Sequence, residues 1–367
     1  MRVLFALPGL HRYNRGAEIA FISVARELAR LGDAVTLIGS GRAHDGELYR
    51  FVGVGSVARE NFESFPSIPL LRHEYAYEEL SFVPGLLSRY RPADYDATVT
   101  CSYPFTNWIL RRPVFRGRRP VHIFVTQNGD WPAHSQDAEA RFFGCDGLVC
   151  TNPDFVERNK ERWRCALIPN GVDCERFRPG VARRQDFGLP ENRPVVLMVS
   201  ALNAEKRVAT GVAAVSRIAD AYLVVAGDGP LRDDIDALAS KLLPGRFSRI
   251  TVKPAQMPSL YQSADVFLHL SKYESFGNVY LEALASGLPI VAHDSARTRW
   301  ILGDNEFLTD TDDETAIAQQ IEQARGASRR SSQESAKRAF EFAWPKIGQM
   351  YRKFIEDTVL LRAGYGR

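Results

Sequence analysis

Two carboxylates beside a helix-opening turn are the residues of this 367-residue chain that speak most directly of chemistry. In the run Ser271-Lys272-Tyr273-Glu274-Ser275-Phe276-Gly277-Asn278-Val279-Tyr280-Leu281-Glu282, Glu274 precedes a Phe-Gly-Asn turn. Glu282 falls about five residues inside the apolar, helix-forming segment that follows. A helix start carries free backbone N–H groups and the positive end of the helix dipole, so it suits an anion such as a diphosphate. Carboxylates flanking that end accept hydrogen bonds from sugar hydroxyls. The arrangement therefore suggests a nucleotide-sugar site. Two surface acids compensating a helix dipole are the plainer explanation. The turn between them and the small-residue tract Ala283-Leu284-Ala285-Ser286-Gly287 behind them weigh against it. A glycosidase would need its acid and base about 5–9.5 Å apart across the scissile bond. Two glutamates straddling one helix start hold a ligand more naturally than they attack it.

The elements that must position these residues are legible as alternating apolar runs and helical segments, the pattern of βαβ units and parallel sheets. In the first half, strands are expected near 3–7, 34–38, 97–101, 121–126, 147–150 and 166–168, with a helix over 17–31. Residues 41–92 are aromatic, proline-punctuated and without a usable pattern. The polar stretch 175–194, with three prolines and two glycines, reads as a linker. Beyond it the alternation restarts, with strands near 195–199, 222–226, 250–252, 266–270 and 289–292, and a last helix over 346–361. At this length two domains are the better prior. The expected division is a domain over 1–172, a second over 173–340, and a helix in 341–367 that returns to the first. Two doubly wound domains bind ligands at the C-terminal edges of their strands, so a shared central cleft is expected.

The composition, 45% hydrophobic and 25% charged, is that of an ordinary globular chain. A net charge of +3 speaks against a nucleic-acid binder. Five cysteines (Cys101, Cys145, Cys150, Cys165, Cys174) form no CxxC pair, which points to reduced thiols and a cytoplasmic setting. No apolar run approaches the roughly 20 residues that span a bilayer. G-x-G-x-x-G and G-x-x-x-x-G-K-[ST] are both absent, so neither a nicotinamide nor a P-loop fingerprint is present.

Several further motifs appear in order around the glutamate pair. They are Ile168-Pro169-Asn170-Gly171-Val172-Asp173, Ser200-Ala201-Leu202-Asn203-Ala204-Glu205-Lys206-Arg207, Val225-Ala226-Gly227-Asp228-Gly229-Pro230 and Tyr261-Gln262-Ser263-Ala264-Asp265. With Glu274-x7-Glu282, this set resembles the retaining glycosyltransferases of family 4, over roughly the whole chain. The resemblance implies an α/β GT-B fold of two Rossmann-like doubly wound domains. It implies a UDP- or GDP-sugar donor and a glycan, lipid-linked or small-molecule acceptor, with no metal and no other cofactor. By resemblance, Glu274 holds hydroxyls of the transferred sugar and Glu282 those of the ribose. The expected catalytic residues are Glu274, Lys206 and Asn128. The donor-binding set adds Gly16, Arg207, Gly227, Gly229, Phe276, Gly277, Asn278 and Val279. Lys206 is the side chain best suited to neutralise a departing diphosphate, with Arg207 sharing that role or capping its loop.

Three departures from the family pattern stand out. Arg15-Gly16 replaces a Gly-Gly pair at the first helix, Gln127-Asn128 stands where relatives carry a histidine, and Ala201 replaces an arginine. Gln and Asn bind hydroxyls but cannot take a proton at neutral pH. The missing histidine and arginine keep open a sugar-nucleotide-binding protein without turnover; a phosphorylase or epimerase of the same fold is a second alternative, which the in-order motifs disfavour. The arginines of Arg111-Arg112-Pro113-Val114-Phe115-Arg116-Gly117-Arg118-Arg119 could meet anionic headgroups at the inner membrane surface, but a solvated loop is favoured. Asp310-Thr311-Asp312-Asp313 is read as a helix cap rather than a metal motif.

Overall fold

Pentads such as Val121–Val125 and Val195–Val199 are buried along both faces only in a sheet covered by helices on both sides, and the chain builds two such sheets. The computed structural model describes residues 1–115, 117–303, 306–326 and 329–364, with backbone alone for 329–333. Arg116 of the arginine cluster lies outside the described residues. Contacts divide the chain into one unit of Met1–Asn170 with Trp344–Arg367 and another of Gly171–Ala343.

The first unit contains β1 (Arg2–Ala6), β2 (Ala34–Gly39), β3 (Arg50–Gly53), β4 (Ala97–Thr100), β5 (Val121–Val125), β6 (Gly147–Cys150) and β7 (Cys165–Leu167). They pair in parallel in the order β3-β2-β1-β4-β5-β6-β7. The helix Gly16–Arg30 packs its apolar face on this sheet together with the last helix, Trp344–Gly364. Gly348 lets the two helices approach closely, because a Cβ there would stand 2.4 Å from Cβ of Glu27.

The second unit contains β8 (Val195–Val199), β9 (Tyr222–Ala226), β10 (Phe247–Ile250), β11 (Val266–His269), β12 (Ile290–His293) and β13 (Phe307–Thr309), parallel in the order β10-β9-β8-β11-β12-β13. The chain runs outward from β8 to β10 and then returns to the other side of β8. The reversal leaves a crevice at the C-terminal ends of β8 and β11, where open α/β sheets take their ligands.

Three expectations need correction. Residues 41–92 hold β3 and a helix, Glu74–Arg89. Pro84 inside that helix reads as a break in the sequence, and the half-exposed edge position of β3 leaves it no buried face by which to be read. The stretch 175–194 is no free linker: Phe177 and Leu189 are buried in the second unit's core, and Arg184 pairs with Asp265 at 2.6 Å. The strand expected at 250–252 lies earlier, at Phe247–Ile250, where its register with β9 satisfies its backbone.

Candidate donor site in the second unit

The loops leaving β8 and β11 flank the crevice, and both carry charge. After β8, Asn203 accepts a hydrogen bond from the Lys206 amide at 3.2 Å and starts the short turn Ala204–Lys206. That turn sends Nζ of Lys206 to Oε1 of Glu274, with which it forms an ion pair. The same oxygen stands 2.9 Å from Nε2 of His269, the last residue of β11. His269 is buried, with its ring edge-on to Tyr280 at 4.9 Å. Burial opposes ionisation of Glu274, but the His269 hydrogen bond and charge, followed by the Lys206 ammonium, outweigh it and hold its pKa at about 2. Glu274 is therefore a fixed carboxylate at any physiological pH and cannot serve as an acid. Arg297 donates to the backbone carbonyl of Glu274 and pins the loop from the β12 side.

Next in the chain, Gly277 takes a left-handed conformation (φ 84°) and caps the helix Asn278–Ala285. A Cβ on Gly277 would meet the Tyr280 ring at 2.7 Å, so both the turn and the close approach call for glycine. The amides of Asn278 and Val279 open that helix beside the Glu274 loop. Phe276 is only 2% exposed and packs against Trp300 and Phe342. Its side chain belongs to the core, so this position can serve a ligand only through its backbone.

Gly227 and Gly229 press against the β8 loop. The Leu202 amide donates to the Asp228 carbonyl at 3.0 Å, and the Leu231 amide to the Leu202 carbonyl at 3.0 Å. A Cβ on Gly227 would fall 1.9 Å from the Ser200 carbonyl oxygen. The two glycines thus shape the loop that carries Lys206.

Arg207 has a different employment from Lys206. Its guanidinium donates to the Thr311 carbonyl at 2.6 Å and pairs with Asp312 at 2.8 Å, while Asp312 also pairs with Lys272 at 2.5 Å. Arg207 therefore braces the loop before the helix Glu314–Arg325 and leaves Lys206 as the cation in contact with Glu274. In that same loop Asp313 accepts from the Thr315 and Ala316 amides and caps the helix.

Glu282 lies one helical turn beyond the glycine cap and is partly buried. Its Oε2 accepts from the Tyr261 hydroxyl at 2.8 Å. Burial pushes its carboxyl up to about 7, against the lowering effects of Tyr261 and Arg176. The two glutamates of one motif are thus tuned in opposite directions, one permanently charged and the other titrating near neutrality.

Sequence reasoning missed His269, Tyr261 and Arg297. The first was findable, since it ends an expected strand on the ligand-binding edge, five residues before Glu274. Tyr261 opens one of the motifs quoted above without a role assigned to it, and nothing in the local sequence marks Arg297. Ser200 Oγ, Ser271 Oγ and the Tyr280 hydroxyl are buried without a hydrogen-bond partner among the described residues, and they sit in or just after the loops and helix start already described.

Gly16 and Asn128 belong to the first unit. Gly16 opens its helix behind Arg15, whose guanidinium faces Glu60 at 3.2 Å, Glu78 at 3.5 Å and Glu18 at 3.9 Å. Those carboxylates neutralise the charge of Arg15. Asn128 is exposed in the turn after β5, its Nδ2 4.0 Å from the Cys101 sulfur. Gln127 is tied to Asn170 by reciprocal amide bonds of 2.5 and 3.0 Å.

Comparison with known proteins identifies the family and the fold. The profile of Glycosyltransferase Family 4 matches residues 14–176, and that of Glycosyl transferases group 1 matches residues 182–339. The lipopolysaccharide core biosynthesis glycosyltransferase LpsE of Rhizobium meliloti is 30% identical over 242 residues, 64% of this chain and 68% of that one. Two other curated relatives are matched over only 53% and 63% of their own lengths. Among solved structures, a sucrose-phosphate synthase from Thermosynechococcus elongatus superposes with a TM-score of 0.77 at 20% identity, over 97% of this chain and 99% of that one. Anabaena HepE, solved in complex with UDP-glucose, superposes with a TM-score of 0.71 at 16% identity, over 97% of this chain and 100% of the other. The fold is of the GT-B type, and the chain belongs to the group 1, family 4 glycosyltransferases.

Proposed function

We propose that the protein transfers a sugar from a UDP- or GDP-sugar to an acceptor hydroxyl with retention of anomeric configuration. The observation that carries this reading is the contact of Lys206, Glu274 and His269 at the β8/β11 crevice, beside a glycine-capped helix start. Lys206 and the amides of Asn278 and Val279 offer positive charge to a diphosphate as it leaves, and such preorganised donors act most strongly where water is excluded. On donor binding, the ammonium shifts from Glu274 to phosphate and frees the carboxylate to accept from hydroxyls of the sugar. Glu282 accepts from the ribose through the oxygen that Tyr261 leaves open. Ser200, Ser271 and Tyr280 supply further hydroxyls. The departing phosphate takes the acceptor's proton, so Gln127 and Asn128 need not act as bases, and Asn128 is left to contact a hydroxyl. In this scheme protein cations meet the charge that a metal ion meets in other transferases.

A panel of UDP- and GDP-sugars tests the reading. One donor should raise the melting temperature and release its nucleotide in the presence of glycoside acceptors, at a rate unchanged by EDTA. Nucleotide binding without release from any donor would favour the binding-only alternative, and loss of the rate in EDTA would remove the metal-independent part.

Glu282 adds a pH signature. Its folded value of about 7 lies above the ordinary 4.5, so the fold favours the protonated form. That stability is fully present below about 4.5 and is lost as pH rises through about 7. A ribose that donates to the carboxylate pulls the other way. Donor affinity should therefore rise by up to about tenfold per pH unit below 7 and level off above it. Calorimetric titration with the intact nucleotide-sugar, whose phosphates do not titrate in this range, reads the effect. Glu282→Gln should flatten the profile, and a flat wild-type profile would remove Glu282 from the ribose site.

A further inference from the structure

The first unit holds a cavity of about 370 Å³ beyond the C-terminal ends of β4 and β5, for which the donor chemistry has no use. Its walls come from the segment after β4 (Tyr103, Pro104), the turn and helix after β5 (Trp131, His134) and the entry to the helix Glu74–Arg89 (Arg72, Tyr75). Cavities of this size, at the small end of about 300–1,000 Å³, suit compact ligands rather than extended chains.

Two features of the lining choose the ligand. The first is aromatic: Tyr75, Tyr103 and Trp131 line the space together, with Tyr103 held edge-on to Trp131 at 5.5 Å. Rigid aromatic walls of this kind pack against the C–H faces of a ring. The second is the charge balance. Arg72 is paired with Glu139, whose side chain is buried, so the two cancel. Asp137 remains, its carboxylate without a hydrogen bond or ion pair among the described residues. The lining thus carries one carboxylate in excess, which repels phosphate and accepts from hydroxyls. His134 adds an acceptor: its Nδ1 lies 3.0 Å from the Asp130 carbonyl, so in the neutral ring Nδ1 carries the proton and Nε2 is left as a lone pair. At the rim, Leu70 is held at φ 71°, a conformation that strains a non-glycine residue and recurs at ligand clamps.

We propose that this cavity binds an uncharged pyranose ring, stacked on its aromatic wall and hydrogen-bonded through its hydroxyls to Asp137 and His134. Resting on the transfer reaction proposed above, that ring is part of the acceptor, which makes the acceptor a glycan or glycoside rather than a phosphate-bearing headgroup at this point.

Saturation-transfer NMR on the full chain tests it, with methyl α-glucoside, methyl α-mannoside, methyl β-galactoside and maltose as probes and hexyl phosphate as the contrasting anion. At least one saccharide should show transfer in the presence of saturating UDP and GDP. Asp137→Ala and His134→Ala, both at exposed positions, should each weaken it at least fivefold while leaving the nucleotide-induced thermal shift unchanged. Saccharide binding that is unaltered in both variants, or displaced by nucleotide, would overturn the proposal, as would binding of hexyl phosphate alone or of no probe. Failure of the donor reading shows separately, as loss of any nucleotide-induced thermal shift in the wild type.

Discussion

Lys206→Ala should lower kcat/KM for the donor by about 10²–10³, the usual loss when one preorganised donor to a developing negative charge is removed. The effect is large because the crevice offers little in compensation. Ala201 cannot supply charge, Arg207 is held by Thr311 and Asp312, and the Arg15 guanidinium in the first unit is surrounded by carboxylates. The loss should fall mainly on kcat, since the diphosphate gains its extra charge only as the glycosidic bond breaks. Steady-state nucleotide release with a calorimetric Kd separates the two terms. Stability should change little, because Glu274 keeps the His269 hydrogen bond. A Lys206→Ala enzyme with unimpaired kcat would mean that another group neutralises the diphosphate.

Gly227→Ala should be the most damaging single-methyl change in the second unit. Gly227 has φ 158°, at the edge of the region that L-residues avoid, and its added Cβ would meet the Ser200 carbonyl oxygen at 1.9 Å. The neighbour is backbone, so no rotamer change relieves the clash, and the β8 loop itself must move. A cost of about 2–4 kcal/mol is expected from strain and overpacking together. Because Lys206 rides on that loop, donor binding should be lost along with the stability. Thermal unfolding and nucleotide titration on the same sample read both. Gly245→Ala is a useful contrast: it shares a positive φ of 68° but has no atom within 4 Å, so it should cost strain alone and leave binding intact.

The sequence was most legible where burial and chemistry impose the same spacing. The central strands β1, β5, β8, β9 and β11 are mainly apolar because both faces are covered, and they stand out in the sequence as short apolar runs. The Glu274–Glu282 spacing, set by one turn and one helical turn, was readable for the same reason. The helix Glu74–Arg89 was not, since Pro84 within it reads as a helix break and two of its buried positions are the carboxylates Glu78 and Glu79. The 175–194 stretch misled because a chain rich in proline and glycine looks the same whether it spans solvent or lies pinned to a surface by Phe177, Leu189 and Arg184. The pairing of Lys206 with Glu274 could be anticipated only as a common site. Its directness comes from β8 and β11, adjacent in the sheet but distant along the chain. Phe276 is a motif residue whose side chain supports the loop from within the core, so any donor contact it makes goes through its backbone.

Stereochemistry tests the account's central claim most directly. The protein, an α-linked nucleotide-sugar that shifts its melting temperature and a glycoside acceptor should give a new α-glycosidic linkage by proton NMR. Free nucleotide should appear in equal amount, and both signals should vanish in Glu274→Gln. A β-linked product would contradict retention. Nucleotide binding with no product, or full activity in Glu274→Gln, would contradict the assignment of this crevice as the seat of transfer.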